Sequence, residues 1–518
     1  MVTHAPRRPK VSRRAVAVGL LGLLLAGCAE PAGTPDWTPP GWDDRPGVRL
    51  VALDAGAETS LNDLGFVNGR IRNDAAAYQA RYVQIPGADE FNKRVDAVIR
   101  QPLAGVAFTP EVFPVGSGLG DRGCVTGSIS WDADRVLTDP QTAPAGGTGT
   151  AITCDVLAAF GSTVAVAIRT VTGAAGVASS DQKVALYVDL ATDTVTDSGD
   201  LWTPDAASEL WIRTVEQLRR DAGGVSTAPI TAPPDDQIAL AAQAFIDLHE
   251  EADGSALLVL PAGIVSPELA GLGIEQTAEP VSVSVDGELL DSWQSETASA
   301  LKQQRGAPFA GMPAWSPSLP VDCSLLSCVA VTYDDGPGSL TTQLIDTLKA
   351  EQAGATFFVQ CKNVNLMPDV VKQVAANGYE IGSHTMTHPD LTKLPEDKVK
   401  SEVNGCGSIV TGITGKPVTM FRPPYGAVNS TVIAAVGKPA ILWSIDTNDW
   451  QDPGADALVQ RSVPNAKRGD IILFHDTHAG SVQTAEQVIS GLKDRGLTPV
   501  TVTQLFSGSV PAGRVSNR

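Results

Sequence analysis

Beyond residue 323 the chain alternates short apolar runs with amphipathic stretches, and this rhythm limits its fold more than any other feature. Strands are predicted over Cys328–Thr332, Ala355–Gln360, Glu380–Ser383, Ile441–Ile445, Asp470–Phe474 and Pro499–Val502. Helices are predicted between them over Ser339–Ala350, Met367–Asn377, Pro395–Thr414, Asp456–Val463 and Ser481–Arg495. Regular βα alternation implies parallel strands with helices outside, an α/β architecture. In such folds the chemistry gathers at the C-terminal strand ends. That is where the most unusual clusters of this chain fall: Asp334-Asp335-Gly336, His384 to His388, Arg422 to Tyr425, and Leu473-Phe474-His475.

A chain of 518 residues is too long for one ordinary core. The breaker-rich stretch 305–322, with Pro308, Pro313, Pro317 and Pro320, is the predicted linker between a domain at 48–304 and another at 323–518. The first reads as α+β. A strand is expected at Tyr78–Ile85. The helix Asp89–Gln101 would bury Phe91, Val95, Val98 and Ile99 on one face. Apolar runs at Thr150–Leu157, Val164–Thr172 and Lys183–Leu190 suggest an antiparallel sheet, followed by helices at Ala206–Arg220 and Asp235–His249. His249 stands alone, and nothing in this region has ligand-like spacing.

Hydrophobic residues make up 43% of the chain and charged ones 19%, the composition of a folded globular protein. A formal charge of −20 argues against a nucleic-acid partner, since neutralising phosphates takes Lys and Arg.

The N-terminus reads as an export signal over 1–27: a basic segment through Arg14, then the apolar run Ala15–Ala26, too short for the ~20 residues that span a bilayer. Ser12-Arg13-Arg14 suits twin-arginine export as well as the general secretory route. Leu25-Ala26-Gly27-Cys28 resembles a bacterial lipobox, which implies cleavage before Cys28 and lipidation of its sulfur, giving an extracytoplasmic protein anchored to the membrane; a monomer is expected. Residues 28–47, with five prolines, read as an extended tether.

Six further cysteines, an even number in an exported chain, favour disulfides. Their pairing is open from sequence alone. Proximity suggests Cys124 with Cys154, Cys323 with Cys328 and Cys361 with Cys406; metal ligation is the alternative, disfavoured because no Cys-x-x-Cys pair occurs.

Only six histidines are present, and four of them (His384, His388, His475, His478) lie between residues 384 and 478. Asp334 and Asp335 close an apolar strand, where successive side chains diverge, so one carboxylate can bind a cation while its neighbour faces a water. The i,i+4 spacing of His384 and His388 would put both rings on one side of a helical turn. Two histidines and a carboxylate suit one divalent ion, zinc first and cobalt or manganese after it. His475, at a strand end, is a candidate general acid; Arg422, stiffened by Pro423-Pro424, a carboxylate clamp; and Trp450 a stacking platform for a sugar.

Taken together, Thr332-Tyr333-Asp334-Asp335-Gly336, His384-Thr385-Met386-Thr387-His388, Arg422-Pro423-Pro424-Tyr425, Asp446-Thr447-Asn448-Asp449-Trp450 and Leu473-Phe474-His475 closely resemble the five motifs of the NodB-homology polysaccharide deacetylases, carbohydrate esterase family four. The resemblance spans about residues 324 to 507, with Tyr333 where the family usually has Phe. It implies a distorted (β/α) barrel that holds one metal on Asp335, His384 and His388, with Asp334 as base and His475 as acid. Arg422 and Asp449 would hold Asp334 and His475, and the Tyr425 N–H would support the oxyanion, worth ~3–4 kcal/mol per good donor. Trp450, Leu473 and Tyr425 would bind substrate. The implied activity is removal of N-acetyl groups from a cell-wall polysaccharide, peptidoglycan first; an acetyl esterase, a chitin-type deacetylase or a non-catalytic wall-binding lipoprotein are the alternatives. The helix Asp89–Gln101 and the stretch from Leu186 to Leu190 through Trp202 to Leu218 resemble an extracytoplasmic module shared by some peptidoglycan deacetylases and anti-sigma factors that sense lysozyme.

Overall fold

The computed structural model describes residues 47–51, 60–246, 248–250, 254–304 and 306–518. The export signal, Cys28 and all of the tether except Gly47 lie outside the described residues. Residues 47–225 and 230–518 belong to one compact unit.

Two sheets build its N-terminal portion. The larger has six strands in the order Val67–Asn73, Tyr78–Gln84, Gly149–Phe160, Thr163–Ala174, Val177–Asp189 and Thr194–Asp197. Every neighbouring pair is antiparallel except Tyr78–Gln84 with Gly149–Phe160. The helix Asp89–Arg100 buries Phe91, Val95 and Ile99, the face its periodicity predicts; Val98 is only half-buried beside them. The second sheet orders Val48–Leu50, Val281–Val285, Ala256–Leu260 and His249–Glu250 against the helix Ala206–Asp221, whose Leu210, Trp211 and Val215 fill its core. One expectation fails here. The helix begun at Asp235 ends at Ala242, and His249 lies in a strand paired with Leu257. Ala244 and Phe245 turn into the core through a tighter 3-10 turn, and burial there outweighs continued helix.

Residues 327–500 form a parallel sheet in the order Glu380–Ser383, Thr356–Val359, Ser327–Asp334, Ile471–His475 and Ile445–Asp446, with Leu497–Val500 also paired to Ser327–Asp334. Single-residue parallel bridges carry the path on from Ser383 to Phe421 and from Phe421 to Ala440. All eight residues of Ser327–Asp334 are buried, as expected of a strand covered on both faces. Alternation sends Val329, Val331 and Tyr333 toward the helices, where Tyr333 stacks between Phe357 and Phe474. Ala330, with Cys328, belongs to a second, opposite core. Thr332 and Asp334 therefore share that inner side. Predicted elements also shift here: the strand expected over Ile441–Ile445 is two short ones, Ala440–Ile441 and Ile445–Asp446, which pair with different neighbours. The last strand is Leu497–Val500, because Thr501 caps a helix at Val502–Leu505 with its own side chain. The helix expected over Ser481–Arg495 divides into Ala479–Gln483 and Ala485–Asp494.

Disulfides join Cys124 to Cys154, Cys323 to Cys328 and Cys361 to Cys406. The N-terminal portion grips the parallel sheet where Leu497–Val500 begins. Phe113 and Leu119 N–H groups donate to the carbonyls of Arg495 and Asp494, and Arg122 donates to the carbonyls of Lys493 and Leu497. A cavity of about 1170 Å³, lined by Tyr82, Arg122, Trp315 and Gln504, lies at this junction. The grip is at the N-terminal edge of that strand, so the C-terminal strand ends remain open for chemistry.

Candidate active site

Asp334 is the last residue of its strand, in register with His475 on one side and Phe358 on the other. The pairing alone brings a carboxylate and an imidazole 141 positions apart (475 − 334) to one level of the sheet. Arg422, fully buried, donates to Asp334 Oδ1 at 2.8 Å and to Thr332 Oγ1 at 2.7 Å. Its other N–H groups reach the carbonyls of Ile441 and Leu442 at 3.1 Å, and its plane lies 4.2 Å from the Phe358 ring centroid. Burial raises the Asp334 carboxyl above its usual range, against the charge of Arg422. A carboxylate poised in this way is suited to take a proton.

Asp335 turns out of the strand with φ of 68°. Its Oδ1 lies 3.5 Å from both His384 Nε2 and His388 Nε2, and the three ligand atoms lie within 4.8 Å of one another. Asp335 Oδ1 is buried yet accepts no hydrogen bond among the described residues. His384 Nδ1 lies 2.8 Å from the Arg422 carbonyl, which can only accept, so Nδ1 carries the hydrogen and Nε2 keeps its lone pair. His388 Nδ1 faces the Tyr425 hydroxyl at 3.2 Å. Burial also lowers the His384 pKa to about 3, which keeps the ring neutral. A neutral imidazole oriented by its other nitrogen, beside an orphaned carboxylate oxygen, is what a divalent cation requires. The residues fit the metal.

The histidine pair is not on a helical turn. Residues 384–388 form a bend in which Thr385 and His388 are left-handed, with φ of 73° and 64°. The His388 N–H donates to Thr385 Oγ1 at 2.9 Å, which folds the loop back and brings the ring centroids within 4.9 Å. Spacing foretold the proximity; the local geometry differs because this loop hangs from a strand end. Glu402, on the Glu396–Thr414 helix, accepts from the N–H groups of Met386 and Thr387 and from the Thr387 hydroxyl, each at 2.9 Å. The Cys361 and Lys362 N–H groups, at the start of the helix Cys361–Leu366, hold the carbonyls of Thr385 and Met386.

His475 Nδ1 lies 2.8 Å from Asp449 Oδ1, and its backbone N–H donates to Asp449 Oδ2 at 2.6 Å. Burial would lower the imidazole pKa, but Asp449 and the charges of Asp334 and Asp335 outweigh it and push it up to about 9. Burial likewise opposes ionisation of Asp449, yet the hydrogen bonds from His475 and Ser481 hold that carboxyl below its usual range. His475 is thus a protonated group facing a carboxylate across the site, the arrangement of a general acid opposite a general base.

Leu473 is buried two residues before His475, on the same side of its strand. Tyr425 has φ of 61° and is largely exposed, as is Trp450 next to Asp449. Non-glycine residues with positive φ cost about 1–3 kcal/mol each and persist where function needs them. Asp335, Thr385, His388, Tyr425 and Asn448, one or more in four of the five motifs, are such residues. His478 pairs with Asp452 at 3.3 Å, its ring centroid 5.8 Å from that of His475. Sequence reasoning missed Thr332, Glu402 and Asp476. The last follows His475 directly, which was its only signal; Glu402 became visible only through its helix's placement.

The family model for polysaccharide deacetylase matches residues 325–440. A peptidoglycan-N-acetylglucosamine deacetylase of Bacillus cereus is 36% identical over 187 residues, which are 34% of this chain and 87% of that protein. This chain belongs to the polysaccharide deacetylase family. Other members are similar over the same portion. The peptidoglycan-N-acetylglucosamine deacetylase PgdA of Listeria monocytogenes is 36% identical over 36% of this chain and 40% of its own length. The peptidoglycan-N-acetylmuramic acid deacetylase PdaC of Bacillus subtilis is also 36% identical, over 34% of this chain. This polysaccharide deacetylase chain spans 40% and 38% of the length of those two relatives. A solved structure of peptidoglycan deacetylase PdaC from Bacillus subtilis is 34% identical, covers 36% of this chain and 93% of that one, and has a TM-score of 0.35.

Proposed function

We propose that this protein is a metal-dependent deacetylase that removes N-acetyl groups from amino sugars of peptidoglycan. The observation that carries the reading is the meeting of three groups at one edge of the parallel sheet. These are a possible metal triad of Asp335, His384 and His388, an Arg422-held carboxylate at Asp334, and an Asp449-held imidazolium at His475. Zinc suits the two nitrogens and one oxygen, with cobalt and manganese next. When bound, the cation would polarise the acetyl carbonyl and acidify water.

Asp334 takes the proton of the attacking water, and Arg422 keeps its carboxylate aimed and desolvated. His475 gives its proton to the departing amine nitrogen, and Asp449 keeps that imidazole charged and oriented. The Tyr425 N–H supports the oxyanion, while Leu473 closes the acetyl pocket and Trp450 and Tyr425 offer faces for sugar rings. We read the parallel pairings and the bridges through Phe421 as the distorted barrel of the family. Residues 48–304 then form a wall-facing module, 305–322 a linker and 323–518 the catalytic domain. Cys28 anchors a monomer to the outer face of the membrane. Similarity to the peptidoglycan deacetylases of Bacillus and Listeria supports peptidoglycan as the substrate.

Mass spectrometry of peptidoglycan fragments, chitin oligomers and acetylated xylan after incubation with Zn²⁺-loaded protein tests the reading. Loss of acetyl from an amino sugar of the peptidoglycan fragments is expected. Acetate release from xylan alone would make the protein an esterase, and none from any substrate would leave a binding protein.

A further inference from the structure

We propose that Asp476 is a positioning residue that holds the turn carrying Asp335 in its metal-binding shape. The inference rests on the metal reading above. Asp476 follows the acid His475 as Asp335 follows Asp334, and Asp334 and His475 are the paired last residues of their strands. It is 1% exposed, although a carboxylate is seldom buried without a task.

Its carboxylate faces the turn and the start of the helix Thr341–Ala350. Thr341 Oγ1 donates to Asp476 Oδ2, and the same hydroxyl oxygen accepts the Gly338 N–H at 2.8 Å. A relay thus runs from the Gly338 backbone through Thr341 to the Asp476 carboxylate. Gly336 packs directly on that carboxylate, since a Cβ built there would lie 2.3 Å from both oxygens. A Cβ at Gly338 would lie 3.2 Å from the Asp476 carbonyl oxygen. Asp476 Oδ1 has no hydrogen-bond partner among the described residues, so Thr341 supplies the side-chain bond that orients the carboxylate. On the opposite side the turn is held by Asn363, which donates to the Asp335 carbonyl at 2.8 Å, and by the Gln360 N–H on the Gly336 carbonyl at 2.9 Å.

The turn is therefore gripped from two sides, and Asp476 with Thr341 supplies one of them. Asp335 needs that grip because it is left-handed and non-glycine, a conformation that relaxes once its surroundings allow. Second-layer groups that orient metal ligands typically govern metal affinity by about 10–100-fold.

The test is titration of Zn²⁺ into the chelator-stripped full chain against a competing chromogenic chelator, with circular dichroism and thermal unfolding of the apoprotein alongside. Asp476→Ala and Thr341→Val should each raise the Zn²⁺ dissociation constant about 10–100-fold. Asp476→Asn, which keeps an acceptor for the Thr341 hydroxyl, should stay within about threefold of the wild type. Should Asp476→Ala not fold, Thr341→Val decides, because it removes both bonds of the relay at nearly constant volume. Wild-type affinity in Thr341→Val, or an Asp476→Asn as weak as the alanine variant, overturns the inference. A wild-type protein that binds no Zn²⁺ overturns the metal reading instead, so the two failures are distinct.

Discussion

Replacing Arg422 with methionine tests whether the buried pair at the floor of the site is organised as described. The Arg422 side chain is 0% exposed and that of Asp334 3%, with 2.8 Å between them. Removing one partner of a buried ion pair leaves the other charge unsolvated, at a cost of about 3–5 kcal/mol. The carbonyls of Ile441 and Leu442 lose donors as well, whereas Thr332 still donates to the Ile472 carbonyl. Methionine fills most of the space against Phe358, so the expected loss is electrostatic rather than a cavity. Its sign with pH is fixed. Burial already raises the Asp334 carboxyl, and loss of the cation raises it further. A carboxyl whose native pKa exceeds its unfolded value binds the proton more tightly when folded, so stability falls as pH rises through that interval. Urea unfolding of the apoprotein followed by tryptophan fluorescence should therefore show a loss of ~3–5 kcal/mol at pH 8 and a smaller one at pH 5. Adding Asp334→Asn to Arg422→Met removes the orphaned charge and should recover most of the loss. Strictly additive effects, or a single-variant loss under ~1 kcal/mol, would refute the reasoning.

Further outcomes follow from the same geometry. His384→Ala should bind less than a tenth of the wild-type zinc by elemental analysis, while Asp334→Asn should retain zinc and lose turnover by about 10²–10⁴-fold; an Asp334→Asn that turns over normally sinks the base assignment. Against burial, Asp449 and the charges of Asp334 and Asp335 push the His475 pKa up to about 9, so an acid role predicts a basic limb of the rate profile set by that imidazole. Asp449→Asn removes the anion that favours the imidazolium, so the limb should move to lower pH; an unmoved limb would mean Asp449 does not tune His475.

Much of the site was legible because its chemistry is concentrated in uncommon residues. Four of only six histidines fall between residues 384 and 478, and the predicted βα rhythm already put them and the Asp334-Asp335 pair at strand ends. The disulfide partners suggested by proximity are those found. Local conformation was less legible. The i,i+4 spacing of His384 and His388 implies a helix in isolation, yet Thr385 and Glu402 fold the segment into a bend. The run after Asp235 carries helical periodicity, but burial of Phe245 and pairing at His249 end the helix early. In both places long-range contacts overrule the local preference.

Sequence by itself determined which groups this protein brings to its chemistry and on which edge of the sheet they stand. Parallel strands all end on the same side, so motifs that terminate strands must share it. Only the tertiary structure decided how those groups meet. Strand register sets Asp334 beside His475, a buried guanidinium joins Thr332 to Asp334, and Asp476 folds under the Asp335 turn. Those contacts span up to 141 positions (475 − 334).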